Sequence, residues 1–215
     1  MILKNPVKRS GLEFLLYAMI FTGLFAFVSF TDPAVEGRER HAGPSTNAGS
    51  GRSEIQSPEI EIAELEKKVH DLINRERKKK GLSTLAWNDS LNRIARRYSR
   101  DMSERGFFSH NDPEGRCFMD RYKDHGFDCR LRIGNTTCLG AENIAQDNLY
   151  KSVLYRNGVP SYDWKTEDEI AVSVVQGWIK SKGHRENIMT PYFRHQGIGL
   201  FISDDGKIYV TQNFC

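Results

Sequence analysis

Three short segments concentrate the side chains that could do chemistry. The first runs Phe107-Phe108-Ser109-His110-Asn111-Asp112-Pro113-Glu114-Gly115. Its two aromatics can bury while a turn carrying histidine and carboxylates, closed by Pro113 and Gly115, faces solvent. The second, Gly140-Ala141-Glu142-Asn143-Ile144, sets a carboxylate between neighbours suited to burial. The third reads WIKSKGHRENI from Trp178 and places His184 directly after an expected helix stop at Gly183. Histidine with carboxylate is the material of acid–base work. Sequence spacing does not by itself join the three segments, and a lone histidine at a helix end is more often a hydrogen-bonded structural residue. HExxH, GxSxG and a phosphate loop are all absent. Ser109 and Ser181 have histidines nearby in sequence, but a nucleophile–base pair requires convergence in space.

The elements that must position these residues follow from periodicity and capping. A helix is expected from Ser57 as cap and Pro58 in the first turn, with Ile62, Leu65, Val69, Leu72 and Ile73 on one stripe and Gly81 as its stop. Its basic run, Arg75 to Lys80, reads as a solvated face near the helix C-terminus. A second helix follows Asn88 or Asp89, buries Leu91, Ile94, Ala95, Tyr98 and Met102, and ends at Gly106. A third opens with Thr166 and Glu169 spaced as a capping box, runs Ile170, Val174 and Trp178 down one side, and ends at Gly183. Gly197 to Ile202 and Lys207 to Gln212 flank Asp205-Gly206, a hairpin signal, and Thr136 to Ala145 adds a further strand. This order, without a βαβ rhythm, predicts an α+β fold: an antiparallel sheet covered by helices.

The rest of the chain speaks to location. Phe14 to Phe30 is uncharged, rich in Phe, Leu, Ile, Met and Val, and preceded by a basic flank. The stretch predicts a signal anchor, a transmembrane helix with residues 1–13 as a cytoplasmic tail. AFVSFT at Ala26 to Thr31 lacks the small-x-small cleavage pattern; were the segment cut, the product would be secreted. Thr31 to Ser57, rich in Gly, Ser, Thr and Asn, reads as a disordered linker, which leaves one domain over residues 58–215 outside the cytoplasm. Its mixed charge is a solvated surface and gives no nucleic-acid footprint. Cys117, Cys129, Cys138 and Cys215 form no CxxC pair, so a structural zinc knuckle is disfavoured. In an oxidising compartment four cysteines suggest two disulfides in one of three connectivities. Cys129 with Cys138 is the local pair, adding about 2–3 kcal/mol in the chain-entropy picture. Cys117, if so bonded, is no nucleophile.

Taken together and in order, SHNDPEG at Ser109, AENIA at Ala141 and WIKSKGHRENI at Trp178 resemble the CAP superfamily. This is the family of cysteine-rich secretory proteins, antigen 5 and pathogenesis-related proteins, whose shared unit is the SCP domain. The closest likeness is to its bacterial and archaeal branch. The LxWNxxLxxxA run from Leu85 and TQNF from Thr211 extend the resemblance over nearly all of Glu61 to Cys215. It implies an α–β–α sandwich with a small antiparallel sheet between helical layers and a cleft on one side. It also implies a cleft tetrad of two histidines and two glutamates able to hold a divalent metal, often zinc. His110 matches the first histidine, Glu142 the first glutamate and His184 the second histidine, while the second glutamate position is Ser181. Three donors plus water remain a zinc set with an open position, holding the metal weakly; Glu186 and Asp112 are the carboxylates nearby in sequence.

Three functions are expected from this. The first is an extracytoplasmic binding module for a lipid, glycan or protein, its cleft lined by His110, Glu142, His184 and Ser181. Tyr150, Tyr155, Tyr162 and Trp164 in Asp147 to Lys165 would form an aromatic rim or else cover the core edge. The second is a metal-assisted hydrolase or peptidase acting on envelope or secreted proteins, with Glu142 as general base. The third is an envelope scaffold with a vestigial cleft.

Overall fold

The computed structural model describes residues 57–215. The expected anchor and linker, residues 14–30 and 31–57, lie outside that range apart from Ser57. Among the described residues no helix is long and apolar enough to cross a membrane.

A heptad-like apolar stripe builds α1 (Ile62–Lys79), burying Leu65, Val69 and Ile73. It starts later than Ser57–Pro58 predicts: Glu61 is the N-cap residue, with no side-chain cap. Its backbone N–H instead donates to Glu167 Oε1 at 3.0 Å. Gly81, at φ +68°, follows the helix end as expected. One residue of the basic run is not solvated. Arg77 is fully buried and donates to the carbonyls of Ser83, Ile188 and Thr190, so it ties α1 to the end of α5 (Lys182–Met189). The helix α2 (Asp89–Glu104) is capped by Asn88, whose side chain accepts from the Leu91 N–H, and its predicted inner face is buried throughout. A short α3 (Phe118–Asp124) has no counterpart in the sequence reading. The helix α4 (Glu167–Lys180) carries the Thr166/Glu169 capping box as predicted. It ends three residues before Gly183, because Ser181 both closes α4 and opens α5. His184 therefore sits inside the first turn of a new helix, not after a stop.

Four strands form the main sheet, in the order β1 (Ala86–Trp87), β7 (His195–Ile202), β8 (Lys207–Phe214) and β4 (Ala141–Asn148). The β7–β8 hairpin turns at the predicted Asp205-Gly206. The sheet is mixed, because β1 runs parallel to β7, while β7–β8 and β8–β4 are antiparallel. The single strand expected over Thr136 to Ala145 divides at Gly140 into β3 (Thr136–Cys138), paired with β2 (Leu131–Ile133), and β4. A third hairpin, β5 (Tyr150–Arg156) with β6 (Val159–Trp164), turns at Asn157-Gly158, both with positive φ, as a two-residue turn between twisted strands requires.

Alternation along β8 separates the layers. Ile208, Val210 and Phe214 join the core beneath α1 and α4, whereas Tyr209 packs with Tyr98 and Met102 of α2. Helices thus cover both faces of this α+β sheet. Close approach of α2 depends on Gly197 and Gly199 in β7: a Cβ at either would lie 2.1 Å and 2.0 Å from the backbone nitrogens of Asn92 and Arg96. Between these layers Glu66 is buried and accepts from Arg96, Asn92 and the Leu200 N–H.

The disulfide joins Cys129 to Cys215, not to Cys138, and Cys117 and Cys138 are free thiols. The β2–β3 register explains the difference, since it places Cys138 opposite Leu131, while Cys129 packs at the end of β8 with Tyr122 and Cys215.

Candidate functional site

The site lies where the outer strand β4 meets both helical layers. Strand alternation turns Glu142 and Ile144 toward α2, and Asn143 toward α5. The turn after α2 delivers His110, and the first turn of α5 delivers His184. Glu142 is aimed by its neighbour Gly140, which takes φ +100° and lies so close to the Phe214 carbonyl that a Cβ would sit 2.5 Å from it.

Three of the four residues that the sequence singled out converge. His110 Nδ1 is 3.0 Å from Glu142 Oε1, and the His110 and His184 rings are 6.2 Å apart, centroid to centroid. The Glu142 side chain is 1% exposed and that of His110 50%. Ser181 lines a groove that also reaches His184, and its hydroxyl makes no cap bond to α5. Burial, and secondarily the neighbouring His110, hold His184 below the usual histidine pKa, which keeps its ring neutral near pH 7.

Arg121, which the sequence reading did not single out, fixes the chemistry of Glu142. Its Nη2 lies 2.6 Å from Glu142 Oε2, and it also donates to the carbonyls of His110 and Arg116. Its guanidinium stacks 3.4 Å over the Tyr98 ring, whose hydroxyl donates to the Ser109 carbonyl. Arg121 sits in the unpredicted α3, whose seven residues are too short for a periodic stripe to single it out. Behind the histidines runs a buried row of amides. Asn187 donates to Glu142 O and Asn143 Oδ1; Asn143 donates to the His184 carbonyl and to Gln212; Gln212 donates to Gln196; and Gln196 meets His70 Nδ1 at 2.8 Å. This row pairs Asn143, Asn187, Gln196 and Gln212 with one another and anchors α5 against the sheet.

The sequence matches the cysteine-rich secretory protein (CAP) family over residues 70–214. This chain belongs to that family. The CAP chain is 32% identical to YkwD of Bacillus subtilis over 151 residues, covering 70% of this chain and 47% of YkwD. It is 30% identical over 149 residues to the B. subtilis membrane protein YlbC, covering 69% and 34%. The chain thus spans less than half the length of either of these curated relatives. Its fold is similar to that of an extracellular SCP-domain protein from Bacillus anthracis, with a TM-score of 0.51 at 26% identity, over 71% of this chain and 40% of that one. It is similar in fold alone to an outer surface protein of Borrelia burgdorferi, with a TM-score of 0.53 at 19% identity, over 74% and 97%.

The CAP tetrad implied by the motifs is a poor fit for a cation in this arrangement. Both Glu142 oxygens are engaged, one by His110 and one by the Arg121 cation, and position 181 offers a hydroxyl in place of a carboxylate. Among the described residues no group of three His, Cys, Asp or Glu side chains is gathered as a metal-ligand set. The two carboxylates nearby in sequence, Asp112 and Glu186, are engaged elsewhere. Asp112 is buried and accepts from Arg116 and the Glu114 N–H, and Glu186 is exposed on α5, 4.0 Å from Lys182. The aromatic segment divides likewise. Tyr150, Tyr162 and Trp164 pack on one another, Tyr162 and Trp164 stacked at 4.6 Å, whereas Tyr155 is 72% exposed near the hairpin tip with Leu154.

Proposed function

We propose that this chain is a membrane-tethered CAP-domain binding module, working outside the cytoplasm, whose cleft is lined by His110, Glu142, His184 and Ser181. The observation that carries the reading is the Arg121–Glu142 pair, buried at 2.6 Å. With one oxygen held by the fixed guanidinium and the other by His110, the Glu142 carboxylate has no free oxygen to offer a water or a metal, so the residues that a hydrolase would use serve instead to shape and hold a polar pocket. The tether rests on the apolar Phe14 to Phe30 stretch. That YlbC is a membrane protein and the B. anthracis relative an extracellular one favours the same location. A lipid, a glycan or a protein is the ligand class, and a divalent metal would enter only by displacing Arg121 from Glu142, hence weakly.

Elemental analysis of the full chain, purified without chelator beside a His110→Ala/His184→Ala variant, tests this. Substoichiometric metal in both supports the reading. One tightly held metal per chain, lost in the variant, together with peptide hydrolysis abolished by Glu142→Gln, would replace it with the hydrolase.

A further inference from the structure

The outer edge of β4 is closed at each end and open in the middle. β4 pairs with β8 on one side and has no strand on the other among the described residues. Its outward carbonyls at Glu142 and Ile144 accept from the side chains of Asn187 at 3.2 Å and Trp178 at 3.0 Å. At the far end the Asn148 N–H is met by Asp147 Oδ1 at 2.8 Å. In an antiparallel ladder the outward groups belong to alternate residues, so the next outward residue after Ile144 is Gln146. Its N–H and C=O find no partner among the described residues, and its side chain is exposed.

This unpaired position opens into a groove of about 370 Å³ between β4 and α4. Phe108, 47% exposed, forms one wall. Ser173 and Gly177 of α4 form the other with Ser181, the residue between α4 and α5, and His184 closes the end. A Cβ added at Gly177 would meet nothing within 4 Å, so the wall there is backbone facing open space. Asp147, which also lines the groove, keeps a buried carboxylate oxygen, Oδ2, without a donor. An exposed N–H and C=O on one outer-strand residue is the template for adding another strand. A lipid chain would leave both groups unsatisfied, whereas one residue of an extended peptide presents a C=O and an N–H on the same side and satisfies both.

We infer that the free edge of β4 at Gln146 receives an extended peptide segment of another protein by strand addition, its side chains alternating between the Phe108 wall and the Gly177 wall. The inference rests on the reading of this cleft as a binding module and names the ligand class. The small residues of α4 set the specificity: the peptide residue facing Gly177 can be large.

The test uses the full chain in detergent micelles and a phage library of random heptapeptides. Enriched peptides are synthesised, and each backbone nitrogen is methylated in turn. Strand addition predicts that N-methylation weakens binding at the residue whose N–H reaches the Gln146 carbonyl and not at its two neighbours. It further predicts that Gly177→Leu, which fills the groove, and Gln146→Pro, which removes the donor, each weaken binding at least tenfold, with unfolding midpoints close to the parent. Gly177→Ala serves as the folding control, since alanine is the better helix residue. Binders indifferent to the methylation pattern, to Gly177→Leu or to Gln146→Pro overturn the inference, as does a library that yields no binder, and each of these leaves the binding-module reading standing. Hydrolysis of bound peptides, lost in Glu142→Gln, would instead sink the binding-module reading while leaving the strand pairing in place.

Discussion

Replacing Arg121 by methionine would strand the Glu142 carboxylate in a site where its side chain is 1% exposed, with only His110 beside it. The expected loss is about 3–5 kcal/mol in denaturant unfolding. Adding Glu142→Gln to that variant should recover much of the loss, because it removes the uncompensated charge; a double variant as unstable as the single one would mean that Arg121 acts through Tyr98 packing instead. A second prediction at this scale concerns pH. Burial keeps His70 below the ordinary histidine value of 6.5, and His184 is lowered in the same direction. The unfolded chain therefore binds more protons than the folded one as pH falls through 6.5, so this contribution to stability is present at neutral pH and is lost on acidification. His70→Gln should make the fall in stability between about pH 7 and pH 5 shallower, whatever its effect at pH 7. An unchanged slope would place the proton uptake elsewhere.

Elements carry two further expectations. Gly199→Ala forces a Cβ to within 2.0 Å of the Arg96 nitrogen, a backbone atom of α2 that cannot turn aside. The cost should be about 3 kcal/mol in chemical unfolding, with α2 displaced from β7. A near-neutral result would show that the two layers have slack. The Cys129–Cys215 bridge closes a separation of 86 residues, for which chain entropy gives about 4.5 kcal/mol. Reduction, or the Cys129→Ser/Cys215→Ser pair, should lower the unfolding midpoint accordingly, whereas Cys138→Ser should change it little because that thiol is free. Much at this scale was legible beforehand. The Asn88 cap, the Thr166/Glu169 box, the stripe of α2 and the Asp205-Gly206 hairpin are local signals, each complete within a few residues. The elements that escaped are those whose cause is distant. Helix α3 is seven residues long and held through Tyr122 and Arg121, and β1 spans two residues that only their pairing with β7 makes a strand.

For the whole molecule, the proposed tether predicts that the full chain stays with membranes through an alkaline carbonate wash, and that a chain starting at Thr31 is released. Release of both would remove the anchor. The sequence by itself determined the α+β class through local periodicity and the family through the order of its motifs, and that resemblance in turn implied which three residues gather at the cleft and that Ser181 stands at the second glutamate position. Tertiary structure decided what those residues are doing. It set the Arg121 cation on Glu142, buried Arg77 out of a run that looked solvated, and paired Cys129 with a residue 86 positions away. It also left the β4 edge open at Gln146. Each of these depends on groups far apart in the chain meeting at hydrogen-bond or bonding distance, and no spacing along a sequence encodes a distance through space.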